Sequence, residues 1–149
     1  MKISTSLARR MLVILRDRLK AGGDCALAVY GGAVPVDADA PAPNSALLGY
    51  FQVGSYGIYL AEPTDNTLHI AAGETWTCDP QAAGTATYFR LLWRYNDAGG
   101  QAGYDTAPVA RLQGTVGTSG ADLIMADPVF AVGTPKEIKN FVLTLPLVS

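Results

Sequence analysis

The chain has 149 residues, 49% apolar and only 16% charged, with 16 glycines, 9 prolines and 2 cysteines. That length suits one domain, 1–149, able to bury a core without staples, and no apolar run is long enough to cross a bilayer as a helix. The formal net charge of −2 hides an asymmetry: Lys2, Arg9, Arg10, Arg16, Arg18 and Lys20 stand against Asp17 alone in the first 20 positions, giving them +5 and the remainder −7. A basic head on an acidic body calls for an acidic protein surface or another copy of the body as partner. With no second basic patch, nucleic acid is the weaker choice. The run Met11–Leu15 is too short for a secretion signal and is followed at once by charge, so cytoplasmic synthesis is expected.

Ser4, Thr5 and Ser6 offer N-caps and Gly22-Gly23 a stop, which predicts a basic helix within 1–22, ahead of a β-rich body over 24–149. Leu7, Met11, Ile14 and Leu15 share one face, widened by Leu12 and Leu19, and Arg9, Arg16 and Lys20 share another. Such a helix either packs on the body with its basic face in water or docks a partner. Arg9, Arg10, Arg16 and Arg18 are the candidate contacts for docking.

Cys25 to Tyr30 predicts the first strand. Gly31 to Ser45, with Pro35, Pro41 and Pro43, predicts an extended surface loop or an arm on a neighbouring subunit, because proline removes donors and fixes φ. Strands are expected over Leu47–Val53, Tyr56–Leu60 and Thr67–Ala71, and Glu74–Asp79, carrying Trp76 and Cys78, leads into Pro80. Tyr50, Tyr56 and Tyr59 are weaker candidates for interface anchors. In 85–93, Phe89, Leu91 and Trp93 are expected to face the core, with Ala86, Tyr88, Arg90 and Leu92 on the other face, outward or toward a partner. A polar loop, Tyr95–Pro108, leads to a strand over 109–117. Gly117-Thr118-Ser119-Gly120 then turns the chain into a short returning strand, Asp122–Met125. Val129–Val132 adds a short strand. The last is Glu137–Leu145, with Phe141, Leu143 and Leu145 on one face. Eight or nine short strands with turns between them describe a mainly β fold, an antiparallel β-sandwich of jelly-roll type with about eight strands and one N-terminal helix, or a barrel.

No constellation for chemistry is present in the sequence, and no cofactor, metal ligand set or catalytic residue is assigned. His69 is the only histidine. Cys25 and Cys78 lie in no CxxC or Cys/His cluster; buried free thiols are the expected state, a disulfide the alternative. Gly114–Gly120 lacks the Gly-Lys-Ser/Thr ending of a phosphate loop and joins strands rather than opening a helix. Ser119 has no nucleophile-elbow frame. Asp97, Asp105, Asp122 and Asp127 follow no calcium-loop spacing. Trp76, Trp93 and Tyr104 could stack on sugars, which keeps a carbohydrate-binding module as one alternative.

Several stretches together resemble a family of small proteins from tailed bacteriophages and prophages. They are Lys2-Ile3-Ser4-Thr5-Ser6-Leu7, the strand near Tyr30 with its Pro/Ala loop, Ala46-Leu47-Leu48-Gly49, Gly84–Leu91, Gly114–Leu123 and Phe141-Val142-Leu143-Thr144-Leu145-Pro146. The Gly114–Leu123 segment is the strongest piece, and the longer insert Tyr95–Pro108 departs from the pattern. The resemblance implies a virion structural protein, and assembly more than a position in the particle. Together with the charge asymmetry it gives the expectation of a capsid decoration or cement protein on the head surface, with no enzymatic activity readable from the residues. Its partners would be the major capsid protein, other virion proteins or its own copies. A tail tube, connector or tip component is the runner-up.

Overall fold

The computed structural model describes residues 3–20, 25–40, 42–54, 57–93 and 111–145. Ser4 Oγ accepts the Leu7 amide at 3.2 Å, and this N-cap opens helix α1, Thr5–Lys20. Ten strands follow among the described residues: β1 (Cys25–Gly31), β2 (Leu47–Phe51), β3 (Thr67–His69), β4 (Trp76–Cys78), β5 (Gly84–Trp93), β6 (Arg111–Gly117), β7 (Leu123–Ile124), β8 (Val129–Phe130), β9 (Lys136–Ile138) and β10 (Val142–Thr144). Among the described residues the protein is mainly β with one α-helix, and the sheets do not close into a barrel. The main sheet runs β2-β1-β5-β6-β7, and β8 pairs with the start of β5; β10-β3 and β4-β9 form two small sheets.

Three predicted strands differ from those observed. The 56–60 segment contributes only isolated bridges, Cys25 with Ile58 and Leu60 with Ile70. The predicted 137–145 strand is two strands: β9 pairs with β4 and β10 with β3. Lys139 and Asn140 are both exposed between them, which breaks the period-two alternation and lets the chain cross from one sheet to the other. The third difference is orientation. β7 runs parallel to β6, with Val116 opposite Leu123, so the intervening loop makes a full turn rather than a hairpin reversal.

Alternation along β1 and β5 gives the main sheet two buried faces. Leu27, Val29, Phe89 and Leu91 join Leu12 and Leu19 of α1 in the larger core, with Phe51, Trp76, Phe130 and Phe141. Phe141 lies 5.3 Å from Trp76 and meets Phe89 edge-on at 6.1 Å, centroid to centroid. Cys25 and Cys78 are buried there as free thiols, and burial pushes the Cys78 thiol up to about 12. The opposite face carries Ala28, Tyr30, Tyr88 and Leu92 beneath Ala42, with the Tyr30 and Tyr88 rings stacked at 4.9 Å. The face expected to look outward, with Tyr88 and Arg90, is therefore covered.

Ala86 does not share that face. Pairing shifts from Tyr30 opposite Tyr88 to Gly31 opposite Ala86, leaving Thr87 as an extra residue. This bulge flips the parity, so Ala86 joins Phe89 in the larger core. Thr87 Oγ1 donates to the Gly32 carbonyl at 2.7 Å and holds the bulge.

Gly114 sits opposite Phe89 in the ladder. A Cβ there would lie 2.5 Å from Phe89 Cε1 and 2.6 Å from Cζ, inside contact distance of a ring already wedged against Phe141. Gly114→Ala is expected to destabilise by about 1–3 kcal/mol. Adding Phe89→Leu should make the paired loss smaller than the sum of the single ones in a denaturation double-mutant cycle. Strict additivity would show that this contact is not the cause.

Candidate interaction surfaces

Successive residues of α1 are turned by about 100°, and this sets which of its apolar residues meet the sheet. Ala8, Leu12 and Leu19 are buried, and Leu15 is partly buried against the larger core. Leu7, Met11 and Ile14 are instead 47%, 44% and 68% exposed. The apolar arc read from the sequence is thus wider than the seam the body covers, and the residues expected to centre that seam lie outside it.

Ion pairs lie beyond the far edge of the seam. Arg9 Nε donates to the Pro63 carbonyl at 2.9 Å, and Arg9 lies 3.5 Å from Glu62. Arg16 pairs with Glu62 and, at 2.9 Å, with Asp17. The Glu62 contact holds the Arg16 guanidinium above its ordinary pKa. Arg9 and Arg16 thus commit their charge to their own body. Arg10 and Arg18 are exposed on the helix, with Arg18 one turn beyond Ile14 on the apolar stripe.

The second surface is the loop predicted from the prolines, here a strap over residues 32–40. Asp37 Oδ1 accepts the Asp39 and Ala40 amides at 3.0 and 3.1 Å, folding the strap on itself. Its carbonyls turn down onto the sheet. Gln113 Nε2 donates to Pro35 O at 2.9 Å, Arg111 Nη1 to Asp39 O at 3.1 Å, and Arg90 Nη1 to Ala40 O at 2.7 Å. Arg90 also donates through Nε and Nη2 to Gln113 Oε1, at 3.1 and 2.8 Å. Arg90 is 0% exposed, so its charge is solvated by strap carbonyls and an amide in place of water. Held this way, the strap presents Val34 at 42% exposure and Val36 fully exposed. Sequence reading did not find this clamp. Its signal was a cross-strand pair, Arg90 opposite Gln113, within an otherwise apolar stripe and beside a loop poor in donors.

No family model, curated protein or solved structure matches the chain.

Of the tyrosines proposed as anchors, Tyr50 is half-buried against the smaller core. Tyr59 is 45% exposed, and its amide donates to Glu74 Oε2 at 3.2 Å. Tyr56 lies outside the described residues. Among the possible sugar platforms, Trp76 is 0% exposed and has no face for a ring to stack on. The Trp93 side chain and Tyr104 lie outside the described residues, as does the Tyr95–Pro108 insert.

His69 Nε2 is 2.8 Å from Thr67 Oγ1. That hydroxyl also lies 2.8 Å from the Thr64 carbonyl, so it ties the ring to the turn that precedes β3. Among the described residues lie two clefts. One, of about 430 Å³, is lined by Gly, Ala, Ser, Thr and Pro around Leu48, without an ionisable side chain. The other, of about 290 Å³, lies between Leu123–Asp127 and Lys136–Asn140, and the Lys136–Asp127 ion pair lies on its rim.

The Gly114–Leu123 segment is closed by Asp122. Its Oδ2 accepts the Thr115 amide at 2.8 Å and the Thr115 hydroxyl at 2.9 Å, and its own amide donates to Thr115 Oγ1 at 3.1 Å. The Thr115 amide, first, and its hydroxyl hold the Asp122 carboxyl below its ordinary pKa. A carboxyl depressed in the fold stabilises it above the unfolded pKa of about 3.9 and loses that contribution as pH falls through the folded value. The Thr115 amide should therefore lose hydrogen-exchange protection in acid. In Asp122→Asn this acid-dependent loss should be absent, with protection already lower at neutral pH. An unchanged acid response would remove Asp122 as the latch.

Proposed function

We propose that this protein is a bacteriophage virion structural protein, a capsid decoration or cement subunit that works through surfaces shared with neighbours. The observation that carries the reading is the incompletely covered helix. A basic α1 is stapled to its own body by Arg9 and Arg16 while Leu7, Met11 and Ile14 stay in water beside Arg10. Exposing three large apolar residues on one stripe stabilises nothing in the isolated chain, whereas covering them at a subunit boundary would contribute roughly 25 cal/mol for each Å² removed from water. The resemblance of Gly114–Leu123 to small tailed-phage proteins points the same way. We also propose that the main sheet and the two small sheets, packed around the larger core, form the two layers of a jelly-roll-like sandwich.

On a shell, many copies of a modest interface would oppose expansion strain and internal pressure, since copy number multiplies each contact. Incubating the purified protein with undecorated capsids at low salt and pelleting the shells tests the reading. Co-sedimentation that weakens with salt and is lost in Ile14→Asp is expected. Absence of binding at low salt rejects the capsid role, and labelling of the tail in assembled particles would move the protein there.

A further inference from the structure

We infer that the exposed stripe of α1 docks on the strap of a second copy of this chain, so that the protein self-associates head to tail. The two surfaces lie on opposite faces of one sheet. Leu12 and Leu19 of the helix pack with Leu27, Val29, Phe89 and Leu91, whereas Ala42, which follows the strap, packs with Ala28, Tyr30, Tyr88 and Leu92. A copy displaced along the sheet normal brings the helix of one molecule over the strap of the next.

The chemistry of the two faces is complementary. The helix offers Leu7, Met11 and Ile14 with the guanidinium group of Arg10 alongside. The strap offers Val34 and Val36 with the carboxylates of Asp37 and Asp39, and residues 31–46 hold no basic side chain. The cations below it, Arg90 and Arg111, direct donors at its inner carbonyls. Helix on helix would set arginines against arginines, whereas helix on strap sets them against aspartates. Val36 is the knob: an apolar side chain in water, on backbone held by the Pro35, Asp39 and Ala40 carbonyl bonds, loses little freedom on binding.

Because the two patches differ, the interface is heterologous and leaves each terminal copy with one unused face. Association then proceeds to rings or open stacks rather than stopping at a dimer. Stable interfaces bury about 1,600 Å² in total; a three-residue stripe on a loop is smaller, so the expected association is concentration-dependent and weakened by salt.

Sedimentation velocity at low salt, over a wide range of protein concentration, is the test. The wild type should form species larger than a dimer as concentration rises. Ile14→Asp, which disables the helix face, and Val36→Asp, which disables the strap, should each weaken self-association at least about tenfold. Both side chains are exposed, so melting temperatures should hold. Mixed in equal amounts, the two variants retain one live helix and one live strap between them, and should give a one-to-one heterodimer and nothing larger. A wild type that stays monomeric overturns the inference. So does association sensitive to Ile14→Asp but indifferent to Val36→Asp, which marks a helix-on-helix pair, or a mixture that remains monomeric. The inference stands apart from the capsid reading: a chain that stacks but ignores shells keeps the former and loses the latter.

Discussion

Arg90→Met is expected to release the strap and destabilise the protein by about 3 kcal/mol or more. The guanidinium is fully buried and donates to Ala40 O at 2.7 Å and twice to Gln113 Oε1. Nη2 also reaches Asp37 O at 3.5 Å, the long limit for such a bond. Methionine fills similar volume but leaves those oxygens without donors in a site water does not reach, and each orphaned group costs about 1–3 kcal/mol. Arg90→Lys keeps the charge yet cannot hold Gln113 with a fork while reaching Ala40, so its loss should be intermediate. Urea denaturation reads the stability, and hydrogen exchange at the Asp39 and Ala40 amides reads the strap. A methionine variant within about 0.5 kcal/mol of wild type would mean that the clamp stabilises nothing. The same variant should also abolish helix-on-strap association, because Val36 would no longer be held in place.

Trp76→Ala is the second large effect, a loss of about 3–5 kcal/mol. For a chain of this size that lowers the melting temperature by roughly 10 °C. Trp76 is 0% exposed, lies 5.3 Å from Phe141, and its Nε1 donates to Glu74 Oε2 at 3.0 Å. It is the large side chain that β4 sends into the core, paired across the small sheet with Ile138, so truncation leaves a cavity that several elements border. Trp76→Phe should retain most of the packing and lose the bond to Glu74, at a much smaller cost. Because Glu74 Oε2 also accepts the Tyr59 amide, exchange at Tyr59 should quicken in both variants. Equal melting temperatures for Trp76→Ala and wild type would contradict the packing described here.

Much of the architecture could be read from local pattern. The cap at Ser4, the strands around Cys25–Tyr30, Leu47–Phe51, 85–93 and 111–117, and the core role of Phe89 and Leu91 all follow from residue type and spacing. Those signals act within a few residues, through N-cap hydrogen bonds, β-branched and aromatic enrichment, and two-residue alternation. Local pattern misled at three kinds of place. The α1 stripe was centred on Leu7, Met11 and Ile14 because periodicity measures how wide an apolar arc is and not which part of it meets the body. Ala86 was assigned to the wrong face because one bulged residue at Thr87 inverts parity. Arg90 is expected outward or toward a partner because a charged residue in a strand is usually solvated, and nothing local says that a loop 50 residues earlier lays its carbonyls upon it.

Residue order and composition alone determined a mainly β chain with one basic N-terminal helix, a charge split between head and body, and the positions of most strands. Tertiary structure decided which half of the helix stripe stays in water, that Glu62 takes the charges of Arg9 and Arg16, and that the proline-rich loop is clamped over the second face of the sheet. Those outcomes join groups distant in sequence, Arg9 with Pro63 and Arg90 with Ala40. Long-range pairs of this kind are selected by the geometry of the packed body, which no short window of sequence contains.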